Sequence, residues 1–359
     1  METKSRRAFR VAKIARVAGT ESPPGLERSN FYIPRNAGTG FEMNMLAAVM
    51  AGPALMRLEK VPVPEPGPGT IRVRLEGSGV CGSNLPPWEG RPWFNYPFPA
   101  GEPGHEGWGV VDQVGDEVDS LKPGDRVALL SYRAFAEFDV APALSAVRLP
   151  PSLAGKPFPG EALGCAMNVF RRSMIQPGQK VAVVGAGFLG NLLIGLAARA
   201  GARVMAISRR DFALNLAKEM GAEAFIKFEE GVADAAREWS GGSGFDCVIE
   251  ATGLQDPLTL AGELTRERGR LIIAGYHQDG TRQVNLQLWN WKGIDVINAH
   301  ERDPQEYRRG MEEAVTAVET GALNPYPLFT HSYTLPNINQ AFICMRDRDS
   351  HFMKGLVFA

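Results

Sequence analysis

The stretch Val181-Ala182-Val183-Val184-Gly185-Ala186-Gly187-Phe188-Leu189-Gly190 decides the fold class of this 359-residue chain. Four apolar residues read as a short buried strand, and the GxGxxG after them opens a helix that the pattern carries to residue 200. Each glycine has a physical task. Gly185 permits the tight turn, Gly187 lets backbone approach a pyrophosphate, and Gly190 lets helix and strand pack closely. The helix N-terminus then receives the phosphate charge. Set between strand and helix of a βαβ unit, Gly185, Gly187, Phe188, Leu189 and Gly190 read as a dinucleotide-binding turn.

Working outward, the pattern after the turn predicts strands over 203–208, 224–227, 247–251 and 270–274, alternating with helices such as 212–220. Such alternation means an α/β fold with a doubly wound parallel sheet covered on both faces, the Rossmann arrangement. Upstream the character differs. Short strands over 45–50, 70–76, 107–114, 126–130 and 135–140, punctuated by Pro/Gly clusters, predict a partly closed, barrel-like β domain. The tail holds one strong helix over 304–320 and short strands ending at 354–358. Residues 1–42 are basic, acid-poor and broken by Pro and Gly, so they read as a disordered extension or a misassigned start, with Met43 or Met45 beginning the working protein.

Composition narrows the function. A formal charge of −1 leaves no basic surplus to attract nucleic acid or an anionic membrane, which points to small molecules. Val181 to Ala198 carries no charge, but its four glycines divide it into strand, turn and helix rather than a membrane span. The four cysteines, 81, 165, 247 and 344, show no paired spacing. A reducing, cytoplasmic compartment is the expectation.

At the end of the second strand, an NAD enzyme places a carboxylate to hold the ribose 2'-hydroxyl. Here stand Ser208, Arg209 and Arg210, with the first carboxylate only at Asp211. A guanidinium pair suits the 2'-phosphate of NADP, so NADP is expected over NAD; the alternative is two solvated surface arginines. A second constellation is Cys81, then the pair His105-Glu106, then Glu161 ahead of the glycine turn. Together they read as one catalytic zinc site, in which three protein ligands leave a fourth position open. Singly, each residue fits a buried thiol, a satisfied loop histidine or a solvated carboxylate as well.

With these residues in view, about residues 43 to 359 resemble the zinc-dependent alcohol dehydrogenases of the medium-chain dehydrogenase/reductase superfamily. The resemblance rests on Cys81-Gly82-Ser83, Gly104-His105-Glu106, the glycine turn, Lys122-Pro123-Gly124-Asp125-Arg126-Val127, Phe135-Ala136-Glu137-Phe138, Gly253 and Lys354. It implies a GroES-like catalytic domain of 43–157 plus 296–359 around a nucleotide-binding domain of 158–295. It further implies Cys81 and His105 as zinc ligands and Glu161 in the third position of the sorbitol dehydrogenase-like branch. Glu106 would exchange with Glu161, and Cys165 is the rival thiolate. Ser83 would take the substrate proton, while Gly253 and Lys354 join the cofactor set.

Two departures stand out against that resemblance. Asn84 replaces an aspartate that would contact the zinc histidine, and Pro86 replaces a relay histidine. The segment Ser131 to Ala134 holds no cysteine, so a single zinc without a structural second is expected. The implied reaction is hydride transfer between NADP(H) or NAD(H) and a secondary alcohol or ketone of the sugar, polyol or cyclitol kind, in a homodimer or homotetramer. Trp88, Trp93, Phe94, Tyr96 and Phe98 could line its pocket or serve loop packing. Two alternatives stay open: a zinc-free quinone or enoyl reductase on this fold, and a non-enzymatic cofactor-binding protein.

Overall fold

Six parallel strands form one sheet in the spatial order Ala224–Lys227, Arg203–Ser208, Lys180–Val184, Phe245–Glu250, Thr265–Ile273, Asp295–Asn298. The computed structural model describes residues 43–348 and 351–359, so the expectation for residues 1–42 lies outside the described part. The order reverses between Lys180–Val184 and Phe245–Glu250, which opens the ligand crevice of a doubly wound sheet at their carboxyl ends. Apolar runs such as Val181 to Val184, wholly buried, follow from covering both faces.

A second, mostly antiparallel sheet runs Phe329–Thr334, Lys354–Phe358, Thr70–Gly79, Glu106–Val114, Arg126–Leu129, Ala146–Arg148, with Phe138–Pro142 also paired to Thr70–Gly79. The tail strands Phe329–Thr334 and Lys354–Phe358 pair into the same sheet as Thr70–Gly79. Among the described residues no helix is long and apolar enough to cross a membrane.

Several elements escape the sequence reading, among them the strand Asp295–Asn298 and the helices Leu286–Lys292 and Ile338–Asp347. The strand Leu55–Pro62 is mostly exposed and shows no clean alternation, and Ala146–Arg148 is only three residues. The helix Gly160–Ser173 contains Gly160, Gly164 and Asn168, poor helix formers, and owes its existence to packing. A Cβ on Gly164 would lie 2.8 Å from the Met311 amide nitrogen, so the helix lies almost backbone to backbone on the helix Pro304–Glu319. Arg171 fastens the pair through Glu306 at 2.5 Å and Glu313 at 2.6 Å. The strand expected over 135–140 is displaced to Phe138–Pro142, because Phe135 and Ala136 turn inward to bond the Asn44–Gly52 strand.

Asp139, on that strand, is a buried carboxylate with one oxygen on the Val140 amide at 2.7 Å. Burial pushes its carboxyl up to about 6, against the pull of Ser131, the Val140 amide and Arg133. The folded state therefore holds this proton more tightly than the unfolded chain. Stability falls as pH rises from about 4 through about 6, by roughly 3 kcal/mol in all. Asp139→Asn should raise the unfolding free energy at pH 7.5 by about 1 to 3 kcal/mol and lose that advantage near pH 4. A variant less stable than its parent at pH 7.5 would contradict this.

Candidate active site

Strand register builds the centre of the site. Gly79 stands opposite Glu106, and Leu356 opposite Gly79, so Glu106 and Lys354 reach each other across a strand that has no side chain there. A Cβ on Gly79 would fall 1.8 Å from Glu106 Oε2 and 3.1 Å from Lys354 Cε, so the glycine is needed for space. Lys354 Nζ meets both Glu106 oxygens at 2.6 Å, with both side chains buried. The same Nζ lies 4.8 Å from the centre of the Phe188 ring. Phe188 opens the helix after the glycine turn and stacks on Phe329 of the other sheet at 5.9 Å. Lys354 thus links the β domain's carboxylate to the nucleotide turn.

Next to that pair, a ligand atom each from Cys81, His105 and Glu106 lies within 4.8 Å of the others. His105 Nδ1 faces the Pro103 carbonyl at 2.9 Å, which fixes that nitrogen as a donor and makes Nε2 the nitrogen that becomes the lone-pair face on losing its proton. Asn84 braces the arrangement: its Oδ1 accepts from the Cys81 amide at 3.0 Å and its Nδ2 donates to the Pro103 carbonyl at 3.0 Å. A backbone carbonyl therefore orients the imidazole where the resemblance would have an aspartate. Ser83 Oγ lies 3.4 Å from His105 Nε2, on that lone-pair face.

Glu161 comes from the first turn of the helix Gly160–Ser173, and Cys165, one turn on, donates its thiol to Glu161 Oε1 at 3.1 Å. Burial and then Glu161 itself push the Cys165 thiol well up, so it stands as a neutral donor. Burial pushes Glu161 up too, and Glu106 adds to this against the pull of His105, Cys165 and Lys354. Burial alone would lower His105, but Cys81, Glu161 and Glu106 push its imidazole up to about 10. A sulfur, an imidazole and the Glu106 carboxylate gather into a donor set suited to a zinc dication, while Glu161 stands outside that cluster near enough to act on His105 by its charge. If Glu161 serves the metal, Glu161→Ala should lower zinc affinity by about 10- to 100-fold, and Cys165→Ala by much less. The opposite ranking in a chelator competition would move the role to Cys165.

The glycine turn lies where the sequence reading expects it. A Cβ on Gly190 would fall 1.9 Å from the Gly185 oxygen, which fixes the helix against the turn. At Gly187 a Cβ would meet no protein atom within 4 Å, so packing does not demand this glycine and the backbone there is open to a ligand. Gly253, at φ +75°, faces the same crevice, where Thr252 packs on Gly185. Ser208, Arg209 and Arg210 lie at the end of the second strand, and Arg210 Nη1 donates to the Phe352 carbonyl at 2.5 Å.

The aromatic cluster divides. Trp88 is core, stacked on Phe342 at 5.7 Å, whereas Trp93 is largely exposed at the end of a chain of rings through Phe94, Phe98 and Tyr96.

Sequence reasoning missed a buried network beside Gly253. Glu250 accepts from the Thr252 and Gly253 amides at 2.6 and 2.9 Å and from His277 Nε2 at 2.9 Å. Arg282 Nε can only donate, so His277 Nδ1 accepts it at 2.9 Å and Nε2 must carry the proton toward Glu250. Arg282 also donates to the Gly253 carbonyl at 2.7 Å. The network clamps the Gly253 turn; the available signal was a carboxylate at the carboxyl end of a central strand.

A nucleotide turn linked to a cluster of half-buried Cys81 and His105 with buried Glu106 defines a class, the metal-dependent nicotinamide dehydrogenases. Residues 67–150 match the alcohol dehydrogenase GroES-like domain family, and residues 189–316 the zinc-binding dehydrogenase family. Sorbitol dehydrogenase of Homo sapiens is 28% identical over 350 residues, covering 87% of this chain and 94% of that protein. Sorbitol dehydrogenase of Halalkalibacterium halodurans is 25% identical over 344 residues, covering 86% and 97%. A zinc-binding dehydrogenase structure from Sinorhizobium meliloti, bound to NADP, aligns with a TM-score of 0.76 at 25% identity, covering 89% of this chain and all of that one. The chain belongs to the zinc-dependent alcohol dehydrogenase family of the medium-chain dehydrogenase/reductase superfamily.

Proposed function

We propose that this chain transfers a hydride between NADP(H) and a secondary alcohol or ketone of the sugar, polyol or cyclitol kind, with one zinc ion per chain. The observation that carries the reading is the Cys81, His105 and Glu106 cluster joined to the nucleotide turn through Lys354. Similarity to sorbitol dehydrogenases supports the polyol class. Cys81 and His105 would hold the zinc, with Glu106 and Glu161 as the carboxylates. Zinc supplies Lewis acidity toward an alcohol oxygen, and the nicotinamide supplies hydride chemistry.

The protein's own residues do the rest. Pro103 and Asn84 hold the imidazole and the Cys81 backbone, so the donor atoms are aimed before any substrate arrives. Ser83, beside His105 Nε2, is positioned to take the alcohol proton. Pro86 cannot carry it onward, so the proton leaves Ser83 by a route without that relay side chain. Glu250, His277 and Arg282 fix the Gly253 turn at the crevice.

Ser208, Arg209 and Arg210 support a 2'-phosphate site, and each charge-assisted bond is worth roughly 1.5 to 3 kcal/mol. NADP should bind about ten- to a hundredfold tighter than NAD, and Ser208→Asp should turn the preference toward NAD. Calorimetric titration of both cofactors, a metal assay and a screen of alcohols and ketones test the reading together. A chain without zinc, or one that binds cofactor and turns over no alcohol, would overturn it.

Sheet membership supports a division close to 43–157 with 296–359, and 158–295, with the strand Asp295–Asn298 carrying the nucleotide-binding sheet on to residue 298. Assembly as a homodimer or homotetramer is supported by the sheet edge Asp295–Asn298 and by Leu286 and Trp291 on the helix before it, which expose apolar surface beside that edge strand.

A further inference from the structure

The buried carboxylate of Glu250 ends the strand Phe245–Glu250 where the strand order reverses, so the turn after it walls the crevice opposite the glycine turn. Space around that turn is filled. A Cβ on Gly275 would fall 2.2 Å from the Gly253 nitrogen and 2.6 Å from Glu250 Oε2, and one on Gly253 would fall 2.5 Å from the Tyr276 oxygen. The Ala274 and Gly275 amides both donate to the Glu250 carbonyl at 2.8 Å, so the loop that carries His277 leaves the sheet against this turn. Glu250 holds the turn by its amides, and Arg282 holds it by the Gly253 carbonyl at 2.7 Å. His277 joins the two: Nε2 donates to Glu250 at 2.9 Å, and Nδ1 accepts from Arg282 Nε at 2.9 Å. That pair of contacts requires one tautomer of the neutral ring.

We propose that His277 is a positioning residue for the nicotinamide cofactor: its neutral ring holds Arg282 on the Gly253 carbonyl, so a proton added at Nδ1 loosens the crevice wall and weakens cofactor binding. The inference rests on the nicotinamide cofactor that the family uses, and on neither the NADP preference nor the zinc. An imidazolium donates from both nitrogens, so Nδ1 would then face Arg282 Nε donor to donor and charge to charge. Glu250 favours that proton, because an imidazolium gives the buried carboxylate a charge-assisted bond. The cost therefore falls on Arg282, which has another partner to turn to. Asp279 already pairs with its Nη2, and that hydrogen bond, with a smaller pull from the Arg91 charge, holds the Asp279 carboxyl below the usual carboxylate range. The charged groups around the ring are thus Glu250 on its strand, Arg282 and Asp279 on its own loop, and beyond them Arg91 from the loop after the helix Leu85–Glu89. Cofactor selects the form with Arg282 in place, so affinity is full above the titration of the ring and falls as pH falls through it, by at most about tenfold per pH unit for one proton. His277 acts through the turn and takes no part in the chemistry.

The test is calorimetric titration of NAD into the full-length parent, His277→Gln and His277→Leu between about pH 5.5 and 8, the range in which imidazoles generally titrate. NAD is the probe because the 2'-phosphate of NADP itself changes charge near about pH 6. The parent should lose about tenfold in affinity from the top of this range to the bottom and release part of a proton on binding near its middle. His277→Leu should bind about tenfold more weakly than the parent at the top of the range and change little below it. His277→Gln should restore most of what the leucine loses and keep it under acid, since an amide accepts from Arg282 and donates to Glu250 without titrating. A glutamine variant that follows the parent's pH profile would overturn the inference, as would a parent whose affinity is flat across the range. A leucine variant that binds NAD as tightly as the parent at the top of the range would show that the turn needs no such support, and would also overturn it. A parent that binds neither nicotinamide cofactor at any of these pH values removes the cofactor reading itself, and this inference with it.

Discussion

Cys81→Ala is expected to lose zinc and turnover together while NADP binding stays close to the parent's. The cluster offers one sulfur, and without it the imidazole and carboxylates form a poorer site. Lewis-acid assistance is worth several kcal/mol of barrier, so turnover should fall by about a thousandfold or more. The phosphate turn is built by Gly185, Gly187 and Gly190 on another sheet, so cofactor affinity has no reason to follow. Zinc content per chain, turnover and NADP titration on one preparation separate these effects. A variant that keeps one zinc and most of its activity would remove Cys81 from the ligand set.

Lys354→Met is expected to lower stability by about 3 to 5 kcal/mol, the cost of leaving a buried carboxylate without its partner. Lys354 and Glu106 are both nearly inaccessible, and the carboxylate fills the space over Gly79 away from solvent. Removing both charges in Glu106→Gln with Lys354→Met should cost less than the single change, because no uncompensated charge remains. Denaturant midpoints of the three proteins in chelator make the comparison. Repeating it with zinc adds a diagnosis: a smaller loss from Lys354→Met would mean that Glu106 turns to the metal when its lysine is gone. A double variant as damaged as the single one would assign the loss to packing of the lysine stem.

How the site became legible differs from residue to residue. The glycine turn was readable because its signal is short-range: strand, turn and helix follow within ten residues, each with its own periodicity or turn chemistry. The parallel sheet followed from alternation, and the strand at Lys354–Phe358 from its apolar run. Cys81, His105 and Glu106 were found as residue types in order, and the structure gathers them. The helix under Glu161 and Cys165 went unread because its propensity is poor and its support comes from a helix some 140 residues later.

By itself, then, the sequence determined the doubly wound nucleotide sheet and the strand-rich character of the first part of the chain, and it offered Cys81, His105 and Glu106 as candidates that the structure brings together. Only the tertiary structure decided that Lys354 holds Glu106 across 248 residues, that Gly79 is a glycine for their sake, and that the Pro103 carbonyl orients His105. It also decided that Trp88 belongs to the core and that Glu250, His277 and Arg282 lock the Gly253 turn. Such contacts depend on strand register and on which faces meet, and a buried charge pair leaves no periodicity in either of the segments that supply it.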